Sequence, residues 1–195
     1  DGQWGFVDSD GSMAIPPRYS DARPFSEGLA AVEDVDGWVY INRRGEVAIS
    51  PSFAIEFAGD FSEGFAAFAT AGGWGYLDKN GSPAISPQFD SAGPFSEGLA
   101  AVGSELVGYI DTAGRLVIPN QFREGRPFSD GLAAVRLNNQ WTYVNRRTGT
   151  ITIELEFYQA EDFIGGVARV KTGNSESERT GYIDRNGDYI WYPTN

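Results

Sequence analysis

The phrase RPFSEGLAAV at residues 23–32 is written again as GPFSEGLAAV at 93–102 and as RPFSDGLAAV at 126–135. Its aromatic recurs at Phe25, Phe61, Phe95, Phe128 and Phe163, at intervals of 33–36 residues, and a turn glycine keeps pace at Gly11, Gly45, Gly81, Gly114, Gly149 and Gly187. A period of that length marks one supersecondary unit copied in series, each copy burying its apolar face against the next. The 195 residues are therefore expected to form a single repeat domain, with units near 4–36, 37–72, 73–105, 106–139 and 140–178 and a partial unit at 179–195.

Three apolar runs fill a unit; in the third they are LAAV (99–102), VGYID (107–111) and RLVIP (115–119). Each has the length and the β-branched or aromatic content of a strand, and none sustains a helical period. The last two are joined by Asp-x-x-Gly segments such as DKNG (78–81) and DRNG (184–187). Asp folds its carboxylate onto the backbone two residues on, and Gly takes φ > 0 cheaply, which predicts a hairpin with a G1 bulge. The expected fold is all-β, a tandem array of three-stranded antiparallel meanders that begin at residues 29, 65, 99, 132 and 167 after an N-terminal hairpin. Leu99 and Ala101 face one side of their strand and Ala100 and Val102 the other, so apolar residues on both faces predict burial between adjacent sheets. Phe95 is expected to plug the gap between sheets, with Ser96, Glu97 and Gly98 making the turn, where substituting Ser96 should matter far less than Leu99→Ala. Short meanders with long outer-to-inner connections fit a propeller-like ring, whereas the lack of a seventh marker after DYIWYPTN fits an open β spiral. Both assemblies stay open.

Composition narrows the function classes. Fifteen basic against 27 acidic residues leave a net charge of −12, which repels phosphate backbones and anionic lipid, so nucleic acid is not an expected partner. No apolar run is long enough for a membrane-spanning helix, and the first residues lack the basic and apolar regions of a signal peptide. A start at Asp1 is still compatible with a removed leader, so bacterial cytoplasm and cell envelope remain alternatives, and the oligomeric state is left open. The chain contains neither cysteine nor histidine, which removes disulfides, thiolate metal sites, the commonest zinc ligand and any Ser-His-Asp or Cys-His arrangement. No cofactor and no metal are expected.

The words WGFVD (4–8), WVYIN (38–42), WGYLD (74–78), VGYID (107–111), WTYVN (141–145) and TGYID (180–184), each followed by a turn and an aliphatic strand, carry a resemblance. Together with the Phe-Ser-Glu-Gly-Leu-Ala-Ala-Val phrase, they resemble the bacterial WG-repeat proteins over nearly the full chain. Val107 and Thr180 replace the tryptophan, and EDFIGGVARV (161–170) is the most diverged phrase. The resemblance implies a repeat module, often one segment of a larger protein, and supplies no catalytic residue set.

Asp8, Asp78, Asp111 and Asp184 recur at one repeat position with Asn42 and Asn145 as substitutes. Asn keeps the hydrogen bond a turn needs and lacks the proton catalysis needs, so these are expected to be turn residues. DSDGS (8–12) and DRNGD (184–188) lack the further acids of a calcium cage. Glu27, Glu63, Glu97 and Asp130 also recur, and because the copies look alike no pair stands out as acid and nucleophile. Trp4, Trp38, Trp74 and Trp141 are expected to pack in the core or between units rather than to stack on sugars. The polar stretch KTGNSESERT (171–180) reads as a longer loop. Where units differ, NRRG (42–45) and NRRTG (145–149) place Arg43, Arg44, Arg146 and Arg147 in equivalent turns, and guanidinium forks grip carboxylates. The expected function is a non-enzymatic binding or scaffolding module for a protein partner or a cell-envelope polymer. The alternative is a carbohydrate-active enzyme on a propeller-like frame.

Overall fold

A computed structural model describes residues 2–174 and 177–194; two residues of the predicted 171–180 loop, Ser175 and Glu176, lie outside the described residues. The hairpin β1 (Trp4–Val7) and β2 (Met13–Tyr19) opens the chain. The first sheet is β3 (Asp21–Ala22), β4 (Leu29–Asp34), β5 (Gly37–Asn42) and β6 (Val47–Ile49), and the second is β7 (Phe57–Ser62), β8 (Phe65–Thr70), β9 (Gly73–Leu77) and β10 (Pro83–Phe89). The third is β11 (Ala92–Ser96), β12 (Leu99–Val102), β13 (Val107–Asp111) and β14 (Leu116–Phe122); the fourth is β15 (Glu124–Gly125), β16 (Leu132–Leu137), β17 (Gln140–Asn145) and β18 (Ile151–Phe157). The fifth is β19 (Gln159–Ala160), β20 (Val167–Thr172), β21 (Arg179–Asp184) and β22 (Tyr189–Thr194). Strands follow sequence order within every sheet, and neighbouring strands pair antiparallel. The chain forms two compact units, residues 1–94 and 95–195.

The meanders begin where the repeat phrase places them, but each carries a fourth strand that the sequence does not announce. In the first, fourth and fifth sheets it is a two-residue strand ahead of the Phe, and in the second and third it is longer and includes the Phe. A strand that short has no alternation to read. The N-terminal hairpin stays two-stranded among the described residues.

Two turns define each repeat. In Ser-Glu-Gly-Leu the central pair takes φ of 50° and 85° at Glu27 and Gly28, and 52° and 80° at Glu97 and Gly98. Ser26 and Leu29 exchange both backbone hydrogen bonds, at 2.8 and 2.9 Å. This is a two-residue type I′ hairpin, whose twist matches that of the strands and whose second residue favours glycine. The Asp-x-x-Gly turn is the expected bulged hairpin: Asp78 N–H donates to Ser82 O, Gly81 N–H donates to Asp78 O, and Gly81 has φ of 79°. The Asp78 carboxylate accepts from Asn80 and Ser82 N–H, and Asp111, Asp184, Asn42 and Asn145 accept in the same way in their turns.

The middle strands of a sheet bury both faces. In the first unit, Ala30, Val32 and Ile41 pack with Ile15 and Tyr19 of the hairpin, while Ala31, Tyr40 and Ile49 pack with Ala58, Phe61 and Phe68 of the second sheet. In the second unit, Ala133 and Val135 join Leu99, Tyr109 and Phe128, while Leu132 and Ala134 join Tyr143, Phe163, Ala168 and Val170. Phe61, Phe95, Phe128 and Phe163 are all fully buried.

The tryptophans are less buried than their period suggests. Trp38 is buried, Trp74 and Trp141 are half-buried, and Trp4 is 55% exposed. The core ring is the tyrosine two residues later: Tyr40, Tyr76, Tyr109 and Tyr143 are sealed from solvent. The glycine between them has a separate reason. A Cβ on Gly75 would lie 2.5 Å from Ile85 O, so only glycine admits the bulged partner strand there.

Leu99→Ala is expected to cost about 2 to 4 kcal/mol through lost burial and a cavity. Tyr143→Phe, which removes only the hydroxyl that bonds Glu161 O, is expected to cost about 1 kcal/mol. Denaturant midpoints check both, and an unchanged midpoint for Leu99→Ala would contradict the burial of β12.

Candidate functional site

Successive sheets are clasped by groups at fixed repeat positions. The Tyr40 hydroxyl donates to Gly59 O at 2.9 Å, Tyr76 to Gly93 O at 2.9 Å, Tyr109 to Arg126 O at 2.9 Å and Tyr143 to Glu161 O at 2.7 Å. The rings of Tyr40 and Phe61, Tyr109 and Phe128, and Tyr143 and Phe163 lie 4.8 Å apart in each case. Burial holds the four phenols above their ordinary pKa, so they remain hydrogen-bond donors.

The turn residues add a second clasp. Ser26, Ser96 and Ser129 donate their hydroxyls at 2.6 Å to Phe61 O, Phe128 O and Phe163 O. Glu27, Glu97 and Asp130 accept from the turn N–H of Gly64, Gly131 and Gly166 at 3.1, 3.0 and 2.7 Å. The serine is therefore a tie between repeats as well as a turn residue. Acidic residues tolerate the left-handed turn, where a side chain is strained, and they make these inter-repeat bonds. The fifth repeat replaces the serine by Ile164 and the acid by Gly165.

Cations in the Asp-x-x-Gly turns complete the arrangement. Lys79 Nζ reaches Glu27 at 3.1 Å, and Arg146 Nε lies 3.6 Å from the Glu97 carboxylate while its Nη1 donates to Glu97 O at 2.8 Å. Burial pushes the Glu27 carboxyl up, but Lys79 and the Gly64 N–H outweigh it and hold the group below its ordinary value.

The predicted arginines divide between the two units. In the first, Arg43 lies over the Phe25 ring at 6.0 Å, and Arg44 is exposed with its N–H held by Asn42. Arg18 joins them, donating to Gly45 O at 3.0 Å and to the Tyr19 hydroxyl. In the second unit, Arg146 and Arg147 line a cavity of about 460 Å³ together with Glu97, Gly131, Asn145 and Arg185. Arg185 comes from the turn after β21, and its Nη2 stands 3.2 Å from where a Cβ on Gly131 would be. Three guanidinium groups thus converge on one groove with a single carboxylate, and Arg146 is the one already engaged.

Neither Lys79 nor Arg185 stands out in the sequence as a partner of the arginine pairs. The signal that could have found them is positional: the residue after the turn Asp or Asn is Arg43, Lys79, Arg146 or Arg185 in four of the six turns, with Ser9 and Thr112 the exceptions.

The sequence pattern of the family described as WG containing repeat matches residues 4–37, 38–72, 74–103, 108–141 and 141–175. The chain belongs to that family. No curated protein matches this WG-repeat chain in sequence. Among solved structures it is similar to a eukaryotic initiation factor, with 14% identity over 85% of this chain and 51% of that one and a TM-score of 0.61. It is similar to dihydro-heme d1 dehydrogenase NirN in complex with DHE, with 13% identity over 98% of this chain and 49% of that one and a TM-score of 0.57. A third likeness is to a structure of S. cerevisiae Dbp5 bound to Nup159, Gle1, IP6 and ADP, with 12% identity over 99% of this chain and 65% of the matched one and a TM-score of 0.54. The WG-repeat chain spans about half the length of the first two. At such identities the likeness is one of fold, all-β and propeller-like.

Because the folded pKa of Glu27 is lowered, its clasp contributes stability above the ordinary carboxylate value of 4.5 and loses it as pH falls through the lowered folded value. Glu27→Gln is expected to be less stable than wild type at pH 7, with the difference shrinking in melts taken below that range. A difference independent of pH would contradict the role of the charge.

Proposed function

We propose that this WG-repeat chain is a non-catalytic binding module whose basic groove at Arg146, Arg147 and Arg185 receives an acidic segment of a protein partner. The observation that carries this reading is the convergence of those three guanidinium groups on one cavity in a chain of net charge −12. Guanidinium is the side chain best shaped for paired hydrogen bonds to carboxylates, and Arg147 and Arg185 have exposed heads. The neighbour from the Dbp5, Nup159 and Gle1 assembly belongs to a fold that occurs in protein complexes, which is compatible with this use.

The enzymatic alternative draws no support from the repeated acids. Glu27, Glu97 and Asp130 each accept a hydrogen bond from the next repeat, an occupation that suits a frame and not a proton-transfer pair. The purified chain is expected to hydrolyse neither polysaccharides nor peptides, with or without divalent metal. Turnover that vanished on mutating one carboxylate would sink the non-catalytic reading.

Binding is tested by titrating a labelled Asp/Glu-rich peptide into the wild type and into the double variant Arg147→Glu, Arg185→Glu. Arg146 is kept because it braces Glu97. Exposed ion pairs are each worth ~0–1 kcal/mol and are screened by salt, so the wild-type affinity should fall with ionic strength and the double variant should bind at least tenfold more weakly. Neutralising Arg43 and Arg44 should weaken binding less, since the Arg43 head already lies on Phe25. Equal affinities and equal salt slopes for wild type and double variant would mean that these arginines only keep their turns in water.

A further inference from the structure

One cross-strand pair at the outer edge of the sheets differs in the second sheet. The pair is Asp21 with Glu33 in the first sheet, Glu124 with Arg136 in the fourth and Gln159 with Lys171 in the fifth. In the second it is Phe57 with Ala69. A position that is polar or charged elsewhere in the array is apolar here, and the frame does not require it, since three other sheets fold without it.

Phe57 is half-buried and continues into an aromatic wall. Its ring centroid is 5.1 Å from Trp74 and 6.2 Å from Trp38. The Arg23 guanidinium lies over its face at 4.4 Å. Arg23 Nε is closed off from solvent and has no hydrogen-bond partner among the described residues. The counterpart arginine in the fourth sheet, Arg126, lies over Trp141 at 5.3 Å and reaches the Asp162 carboxylate at 4.0 Å. Arg23, Ser26, Phe57, Asp60 and Trp74 line a cavity of about 440 Å³, within the size range of small-ligand sites. Burial raises the Asp60 carboxyl above its ordinary value, and Arg23 opposes that rise only in part.

We propose that this groove of the first unit binds a hexuronate residue of an acidic glycan. The wall of Phe57 and Trp74 suits the C–H face of a pyranose ring, which offers broad apolar contact without a hydrogen-bond demand. Arg23, which lines the cavity, offers the sugar carboxylate a fixed positive charge and a guanidinium donor, and charge-assisted hydrogen bonds are the stronger kind. Asp60 accepts from ring hydroxyls, since a carboxylate takes donors only. Together the three features select a ligand that is flat and apolar on one side, anionic at one end and rich in hydroxyls. A neutral sugar leaves the Arg23 charge unanswered, and a peptide ending in phenylalanine supplies ring and carboxylate but has amide N–H groups where the sugar has an array of ring hydroxyls. This site lies in the first unit and the basic groove in the second, so either can fail alone.

The test uses the full chain with digalacturonic acid, the matching neutral galactose disaccharide, sodium acetate and a short peptide with a C-terminal phenylalanine, titrated by calorimetry and tryptophan fluorescence at 0.15 M salt to screen the overall charge. Digalacturonic acid is expected to bind saturably and at least tenfold more tightly than the other three. Phe57→Glu places at this site the residue that Glu124 already provides in the fourth sheet, and Arg23→Gln removes the cation. Each is expected to weaken digalacturonic acid at least tenfold while the thermal melt stays in place. If Phe57→Glu melts early, Arg23→Gln alone decides. Absence of saturable binding, equal binding of the neutral disaccharide or acetate, tighter binding of the peptide, or wild-type affinity in Arg23→Gln would each overturn the proposal.

Discussion

A buried phenol has to find an acceptor, because a hydroxyl taken out of water without one costs about 1 to 3 kcal/mol. In this array the acceptor is always the carbonyl two residues before the next repeat's phenylalanine: Gly59 before Phe61, Gly93 before Phe95, Arg126 before Phe128 and Glu161 before Phe163. The same phenylalanine supplies the ring on which the tyrosine packs in three of these pairs. Within each unit, one side chain thus ties a sheet to its successor through both its ring and its hydroxyl. The serine and acid of the type I′ turn add two further ties.

That constraint falls on backbone at the acceptor position and leaves its side chain free. Gly59 and Gly93 stand there in two repeats, Arg126 and Glu161 in two others, and Arg23 holds the corresponding place in the first. A position whose main chain is held by the frame and whose side chain is unconstrained is where repeats can diverge at little cost. Arg23, Arg126 and Glu161 have done so, and in the first unit the change leaves a guanidinium on an aromatic wall. The turn cations follow the same logic. Lys79 and Arg146 brace carboxylates of the preceding repeat, while Arg147, one residue further on, has an exposed head beside Arg185.

Charge in this protein therefore serves two separate ends. The recurring acids sit where a non-glycine residue is strained, and the bond that Glu27, Glu97 and Asp130 each make to a glycine N–H of the next repeat is what that strain supports. The fifth repeat, with Gly165 in place of the acid and Arg169 in place of the second alanine of the phrase, departs from the frame at both points. Arg169 is ion-paired to Glu161, and Tyr182, the counterpart of the sealed tyrosines, is 39% exposed.

The sequence by itself determined the repeat, the strands and both turns. Their causes are local: alternation over LAAV, the φ > 0 that Gly28 and Gly81 accept, and the reach of Asp78 onto its own backbone. It also separated the turn aspartates from catalytic ones, because Asn42 and Asn145 substitute for them. Only tertiary structure decided which aromatic forms the core. Trp and Tyr recur with the same period, and nothing local says that the tyrosine points at the next sheet while Trp4 and Trp74 face outward. Pairing across repeats was likewise invisible: Arg185 meets Arg146 and Arg147, and Arg23 meets Phe57, because sheets stack residues that lie 34 to 39 positions apart in sequence. The short outer strands, two residues in three sheets, have no period to betray them and exist because the neighbouring strand leaves backbone groups to be satisfied.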